Sequence, residues 1–202
     1  MKYFNTLPKI LTSDFKGNQI ALTNLLARVS VIPQALQDTS LYYDYNIKES
    51  DSPESIAYKY YGNAENFWIV LFSNQMLDPQ WDWPLNNNDF DAYITEKYGS
   101  LSNATSAVHN YEKIVTTTVS GSNIEPKVEY LIIDESRYLK PSPSPKTYYT
   151  VTGETITVVV DKRIVTKYQY ELDVNESKRS IKLLNNRYLG LIQEQFTLLM
   201  AQ

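Results

Sequence analysis

Residues 43–85 read YDYNIKESDSPESIAYKYYGNAENFWIVLFSNQMLDPQWDWPL. Leu41, Tyr43, Tyr45 and Ile47 alternate with Tyr42, Asp44, Asn46 and Lys48, which predicts a strand with one buried face. Ser52 followed by Pro53 is a helix start. A hydroxyl there can accept from the free amides of the first turn, and proline suits the first helical position. Glu54 adds a negative charge at the positive end of the helix dipole. Ile56, Ala57, Tyr60 and Tyr61 share a helical face, and Gly62 supplies a left-handed stop. Asn63 can cap a second helix, Ala64 to about Ser73, with Glu65 near its start. Its residues Phe67, Trp68, Ile69, Val70, Leu71 and Phe72 are apolar almost all round, so it must be buried on more than one side. Asp78 and Pro79 predict a turn. Trp81, Trp83 and Leu85 then alternate as a second strand closed by Pro84.

Outward from this segment, residues 1–40 read as an arm: a strand over Tyr3–Leu11, then a helix capped by Asn18 with Ile20, Leu22, Leu25, Leu26 and Val29 as its apolar positions, ended by Pro33. Residues 41–100 form a module with an extra helix, whose Asp89 is a cap, Phe90, Tyr93, Ile94 and Tyr98 face inward, and Gly99 is the stop. Residues 101–202 turn to β. Strands are predicted over Ala107–Val119, Lys127–Ile133, Tyr148–Thr152, Thr155–Val160, Ile164–Leu172 and Ser180–Leu184, with turns at Ser120–Asn123 and Gly153-Glu154. Pro141–Pro145 is a short extended connector. An amphipathic helix from Arg187 to Met200 closes the chain, and it can pack on its own domain or on a neighbour. The fold class expected is α+β.

Composition narrows the function. The charge balance is 19 − 23 = −4, with no basic stripe, so nucleic acid has no electrostatic footprint here. No apolar run is long enough to span a bilayer, and the N-terminus MKYFNTLPKILTSDFKG lacks the apolar core of a signal peptide. Without a single cysteine, disulfides and thiolate metal sites are excluded. The 17 tyrosines outnumber the 6 phenylalanines. Tyrosine suits both half-exposed sheet faces and partner-covered surfaces, and the sheet explanation covers most of them.

No catalytic constellation competes. His109, the only histidine, lies on a predicted strand, and no serine sits in an elbow motif. Metal-ligand spacing is absent, so no metal site is expected. Glu54 and Glu65 occupy first turns of helices, where the dipole accounts for them. Trp68 is assigned to the core. Trp81 and Trp83 are candidates for a partner surface, together with Asp78, Asp51 and Tyr61. Ile56, Ala57, Tyr60, Gly62, Phe67, Trp68 and Leu71 are the expected module core.

Strand, helix, glycine stop, helix, strand is the order of the LysM module. The segment resembles it at Tyr45 and Ile47, Ser55-Ile56-Ala57, Tyr60, Asn74 and Trp83-Pro84, although Ser50-Asp51-Ser52-Pro53 replaces that family's usual Gly-Asp-Thr-Leu turn. Three stretches, Ile56–Gly62, Phe67–Leu71 and Asp78–Leu85, are more closely similar to the LysM-like baseplate wedge subunit of contractile-tailed, T-even-type bacteriophages. Residues Tyr168–Leu184, with Asn175-Glu176-Ser177-Lys178-Arg179, share its character. That resemblance implies a structural protein of the virion, assembled in the host cytoplasm in six copies per baseplate. It implies contacts with other wedge proteins and with the central hub, and neither catalysis nor a cofactor. The alternative is a carbohydrate-binding LysM protein for peptidoglycan or chitin N-acetylglucosamine chains, its groove between Glu49–Pro53 and Asn74–Pro79. A cell-wall hydrolase ranks below both.

Overall fold

The computed structural model describes residues 3–27, 29, 38–120, 124–151 and 153–201. Contacts divide the chain into two compact units: Met1–Asn87 with Asn175–Gln202, and Asn88–Val174. The architecture mixes helices and strands, in keeping with the α+β expectation.

In the first unit, strands β1 (Lys9–Ser13) and β2 (Gln19–Thr23) form an antiparallel hairpin, Lys9 opposite Thr23 and Ser13 opposite Gln19. This overturns the helix expected after Asn18. The turn chemistry decides it: the Asp14 carboxylate accepts from the amides of Lys16 and Asn18 at 2.8 Å each, and Gly17 takes φ +82°. Ile20 and Leu22 are thus strand residues two apart, not one stripe of a helix. Pro33 lies outside the described residues.

Strand β3 (Tyr42–Asn46) leads to helix α1 (Pro53–Tyr61). The predicted cap is present in reciprocal form, Ser55 N–H to Ser52 Oγ at 3.2 Å and Ser52 N–H to Ser55 Oγ at 2.9 Å. Gly62 ends the helix at φ +73°. Asn63 starts a 3-10 turn (Ala64–Asn66) that runs into helix α2 (Phe67–Ser73), so the second helix is a composite of two short pieces.

The closing strand is not where the tryptophans suggested. Pro79–Asp82 is a single helical turn, α3, capped by Asp78, whose carboxylate accepts from Gln80 N–H at 3.0 Å. β3 pairs instead with strand β8 (Ser180–Leu184), antiparallel, Tyr42 opposite Leu184 and Asn46 opposite Ser180. The expected inner face also needs correction. Ile47 is buried, but Tyr43 is exposed, and the opposed pair Tyr42 and Leu184, on the other face of the ribbon, is buried. Ile56, Ala57, Tyr61, Trp68, Ile69 and Val70 pack with Ile181, Leu183 and Leu184 into one core. Helix α8 (Leu189–Met200), preceded by a 3-10 turn at Asn186–Tyr188, adds Phe196 and Met200. Trp68 is 4% exposed, its ring 4.7 Å from Phe196 and 5.6 Å from Tyr3.

The second unit contains helix α4 (Asn87–Tyr98), which buries Phe90 and Ile94 and stops at Gly99, φ +83°. Helix α5 (Leu101–Ser106) follows, capped by Ser100. Strands β4 (Val108–Ser120), β5 (Lys127–Ile133), β6 (Lys146–Tyr149) and β7 (Thr155–Thr166) form an antiparallel sheet in the order β5-β4-β7-β6. Two expected strands, Thr155–Val160 and Ile164–Leu172, resolve into one long strand and a helix, α7 (Lys167–Ser177). β6 begins and ends earlier than Tyr148–Thr152. A one-turn helix, α6 (Glu135–Tyr138), sits between β5 and the Pro141–Pro145 connector, and Lys162 Nζ ties that region to the sheet through the carbonyls of Arg137 (2.7 Å), Tyr138 (3.2 Å) and Lys140.

Candidate functional site

The turn between β3 and α1 holds the most concentrated polar cluster of the first unit. Asp51 N–H donates to Lys48 C=O, turning its carboxylate back over the strand. That carboxylate, with a side chain 0% exposed, accepts from Tyr45 Oη at 2.6 Å, Lys59 Nζ at 2.7 Å and Lys48 N–H at 3.0 Å. Burial alone would push the Asp51 carboxyl up. The hydrogen bonds from Lys59, Tyr45 and the Lys48 amide outweigh it and hold the group at about 2. The same contact, with burial, raises the Tyr45 hydroxyl to about 12. Asp51 is therefore a fixed anion that staples strand to helix.

Its backbone carbonyl receives the Trp83 indole N–H at 3.2 Å. This contact starts a strap. Asp82 folds back to accept from the amides of Leu77 (2.9 Å) and Asp78 (3.0 Å), which tightens the Asn74–Pro79 loop. Lys178 Nζ donates to Trp81 C=O at 2.6 Å. The Asn175 amide matches both backbone groups of Leu85, at 2.7 and 3.0 Å. Arg179 donates to Leu85 C=O at 3.3 Å and to Glu49 at 3.1 Å, and Asn87 N–H donates to the same carboxylate. Residues 81–87 are thus fastened to the 48–51 turn on one side and to residues 175–179 on the other.

The five expected partner residues divide. Trp81 is 59% exposed on the strap, and Trp83 is half-buried beneath it against Asp51. Asp78 is occupied as the cap of α3. Tyr61 lies in the core with its hydroxyl donating to Leu184 C=O at 3.0 Å, and burial pushes that hydroxyl's pKa well up. Asp51 and Trp83 come together. Tyr61 does not join them. Of the expected core, Ile56, Ala57, Trp68 and Leu71 are buried, Tyr60 and Phe67 pack partly buried on the cluster, and Gly62 is exposed, serving as the helix stop instead. The resemblance takes in Asn74 singly and Glu49, Asn175 and Arg179 only as parts of longer stretches, and the sequence assigns none of them the role it plays here. Asn74 bonds both Lys182 N–H and Lys182 C=O at 2.8 Å, standing in for a strand along the outer edge of β8. A lone polar residue carries no sign of a partner so far along the chain.

In the second unit, Glu171 accepts from Tyr98 (2.7 Å), Lys97 (2.8 Å) and Tyr93 (3.1 Å). Burial opposes its ionisation, but these donors keep its pKa low, and the Glu171 bond raises that of Lys97. The four-stranded sheet of this unit is open. Among its residues only Val165 is fully buried, and Val128, Tyr130, Leu131, Ile132, Tyr148 and Tyr149 are exposed apolar or aromatic groups. All ten strand residues of the β1–β2 hairpin are exposed as well. Val128, Tyr130 and Ile132 alternate along one strand and so share a face, and an exposed apolar row of this kind marks an interaction site.

His109 is an exposed residue at a register shift of β4, its ring stacked on Tyr170 at 3.8 Å. Among the described residues no group of three or more His, Cys, Asp or Glu could hold a metal ion, and no helix is long and apolar enough to cross a membrane. A search of curated proteins finds no match. The family described as Base plate wedge protein 53 matches residues 12–196, which takes in both units almost whole. The chain belongs to this bacteriophage family: it is a structural component of the tail baseplate wedge, a part of the virion that works in contact with other baseplate proteins.

Proposed function

We propose that the chain joins neighbouring wedge subunits, and that β3, α1, α2 and β8 act as a LysM-like module whose ligand is protein, not sugar. In this reading the module is split: its first strand and helices come from residues 42–73, and its closing strand arrives only at Ser180, after the second unit. The observation that carries the reading is the strap. A glycan in a LysM groove would lie between Glu49–Pro53 and Asn74–Pro79. Here Trp83 is bonded into the first loop and Asp82 into the second, and Asn175 and Arg179 fasten the chain beyond them. Trp81 projects from the outer side of the strap, where a large aromatic surface can anchor a partner. Asp51, Trp83 and Asp78 act behind it by holding its support in place, and Tyr61 serves in the core, bonded to Leu184.

Six copies in each baseplate, contact with the central hub and assembly in the host cytoplasm belong to the same reading. Mass spectrometry of purified phage tails tests it: the protein is expected as a stoichiometric component, and its absence would sink the proposal. Full-length protein incubated with insoluble peptidoglycan is expected to remain in the supernatant. Retention there would favour the carbohydrate reading.

A further inference from the structure

The outer edge of β5, at one end of the sheet, is a seven-residue strand edge with no partner strand. β5 pairs with β4 alone, in unbroken register from Tyr111 opposite Ile133 to Thr117 opposite Lys127. In an antiparallel ladder alternate residues turn their N–H and C=O away from the partner, so about three or four of these seven residues aim both groups outward. Among the described residues no backbone or side-chain partner meets them. Several devices that normally blunt an edge are missing. The strand has no proline and no bulge, and its only two charges, Lys127 and Glu129, pair with each other at 2.6 Å. By contrast, Asn74 occupies the edge of β8.

The side chains add a direction. Val128, Tyr130 and Ile132 share one face of the sheet, all exposed, Ile132 at 77%. Arg163 fixes this face. Its guanidinium lies 5.0 Å from the Tyr130 ring centroid and bonds Glu112 at 2.8 Å across the strand between them. A row of unpaired backbone groups beside an ordered apolar row is the acceptor half of strand addition, in which the main chain supplies affinity and alternate side chains supply selectivity.

We propose that β5 accepts an extended segment of another baseplate protein as a fifth strand of the sheet, with apolar residues at alternate positions packing beside Val128, Tyr130 and Ile132. The proposal rests on the reading that the chain works inside the assembled wedge. The occupant is a strand because a strand pairs the outward amides in register; a helix or loop laid on the face would cover side chains and leave those amides to water.

Amide hydrogen exchange of the full-length chain, free and within purified tails, reads this directly. The outward amides of residues 127–133 are expected to exchange at least about 100-fold more slowly in tails than in the free monomer. Equal rates would overturn the proposal even with the protein present in tails, whereas its absence from tails would instead overturn the wedge reading. Protection that develops in the isolated protein as its concentration rises, together with dimer formation, would assign the edge to a second copy and also overturn it. The double variant Val128→Lys, Ile132→Lys charges the apolar row without touching the β4 ladder. It is expected to cut incorporation into tails at least tenfold, and undiminished incorporation would count against the proposal. The exchange measurement on the unmodified chain decides the matter whether or not that variant folds.

Discussion

The two units of this chain bury their apolar residues in opposite ways. The first, whose strands form no more than two-stranded ribbons, closes a core in which Ile56, Ala57, Ile69, Val70 and Leu183 are almost fully removed from water. The second has four strands, two of them a dozen residues or longer, yet only Val165 within its sheet is fully buried. Strand content therefore does not measure self-sufficiency. What matters is whether a sheet face has something packed on it, and in the first unit Trp68, Phe196 and the aliphatic helix α2 supply that. The second unit relies on hydrogen-bonded ladders and on polar staples such as Glu171, and leaves apolar residues available to partners.

The comparison breaks most easily at Trp68. All three tryptophans lie in the first unit, so their fluorescence during urea unfolding reports that unit alone. Trp68→Ala empties the centre of the aromatic cluster and is expected to cost about 3–5 kcal/mol. A loss below about 1 kcal/mol would mean the core is not where the first unit's stability lies.

Asp51 comes next. Asp51→Asn leaves Lys59 without its anion and disturbs two further donors, an expected loss of about 2–3 kcal/mol at neutral pH. The acid limb sharpens the test. The folded carboxyl sits at about 2, below its ordinary 3.8, so its contribution is complete above about pH 4 and fades as pH falls toward 2. That contribution amounts to about 2 kcal/mol. In the variant this part of the acid dependence should vanish from the unfolding curves.

Asn74→Ala removes the amide that occupies the β8 edge and strips Lys182 of two bonds. About 1–2 kcal/mol should be lost, with faster exchange at the Lys182 amide. Ser52→Ala deletes one half of a reciprocal cap, for about 1 kcal/mol by thermal unfolding. At the small end stands Ile132→Ser. In a core it would be severe, but on the exposed edge of the second unit it should shift the stability of the isolated chain by no more than about 0.5 kcal/mol. A larger loss, read by far-UV circular dichroism, would show that the sheet is covered within the single chain.

Much of this was legible where the governing chemistry is local. Ser52-Pro53, Gly62, Asn63 and Gly99 mark boundaries because caps and left-handed stops act within a turn, and the strands at Lys127–Ile133 and Ser180–Leu184 fall where their alternation places them. Asp78-Pro79 carried the same start signal as Ser52-Pro53. Read as a turn before alternating tryptophans, it masked the helical turn that the cap in fact begins. The hairpin at Lys9–Thr23 was missed because Ile20, Leu22 and Leu25 fit a helical face as well as a strand, and the Asp14–Gly17 turn decided between them. Long-range pairing leaves no local trace: nothing near Tyr42 points to Leu184, and nothing near Trp83 points to Asn175 or Arg179. The expected partner set mixed exposed and structural residues for the same reason. Residue type alone does not separate Trp81 at the surface from Tyr61 in the core.

Hydroxyl-radical footprinting of the full-length chain, free and in purified tails, tests most directly the claim that the second unit's sheet is completed by partners. Tyr130, Leu131, Ile132, Tyr148 and Tyr149 are expected to be oxidised readily in the free chain and to lose most of that reactivity in tails, while Trp68 stays protected in both. Unchanged oxidation of these five residues in tails would contradict the account.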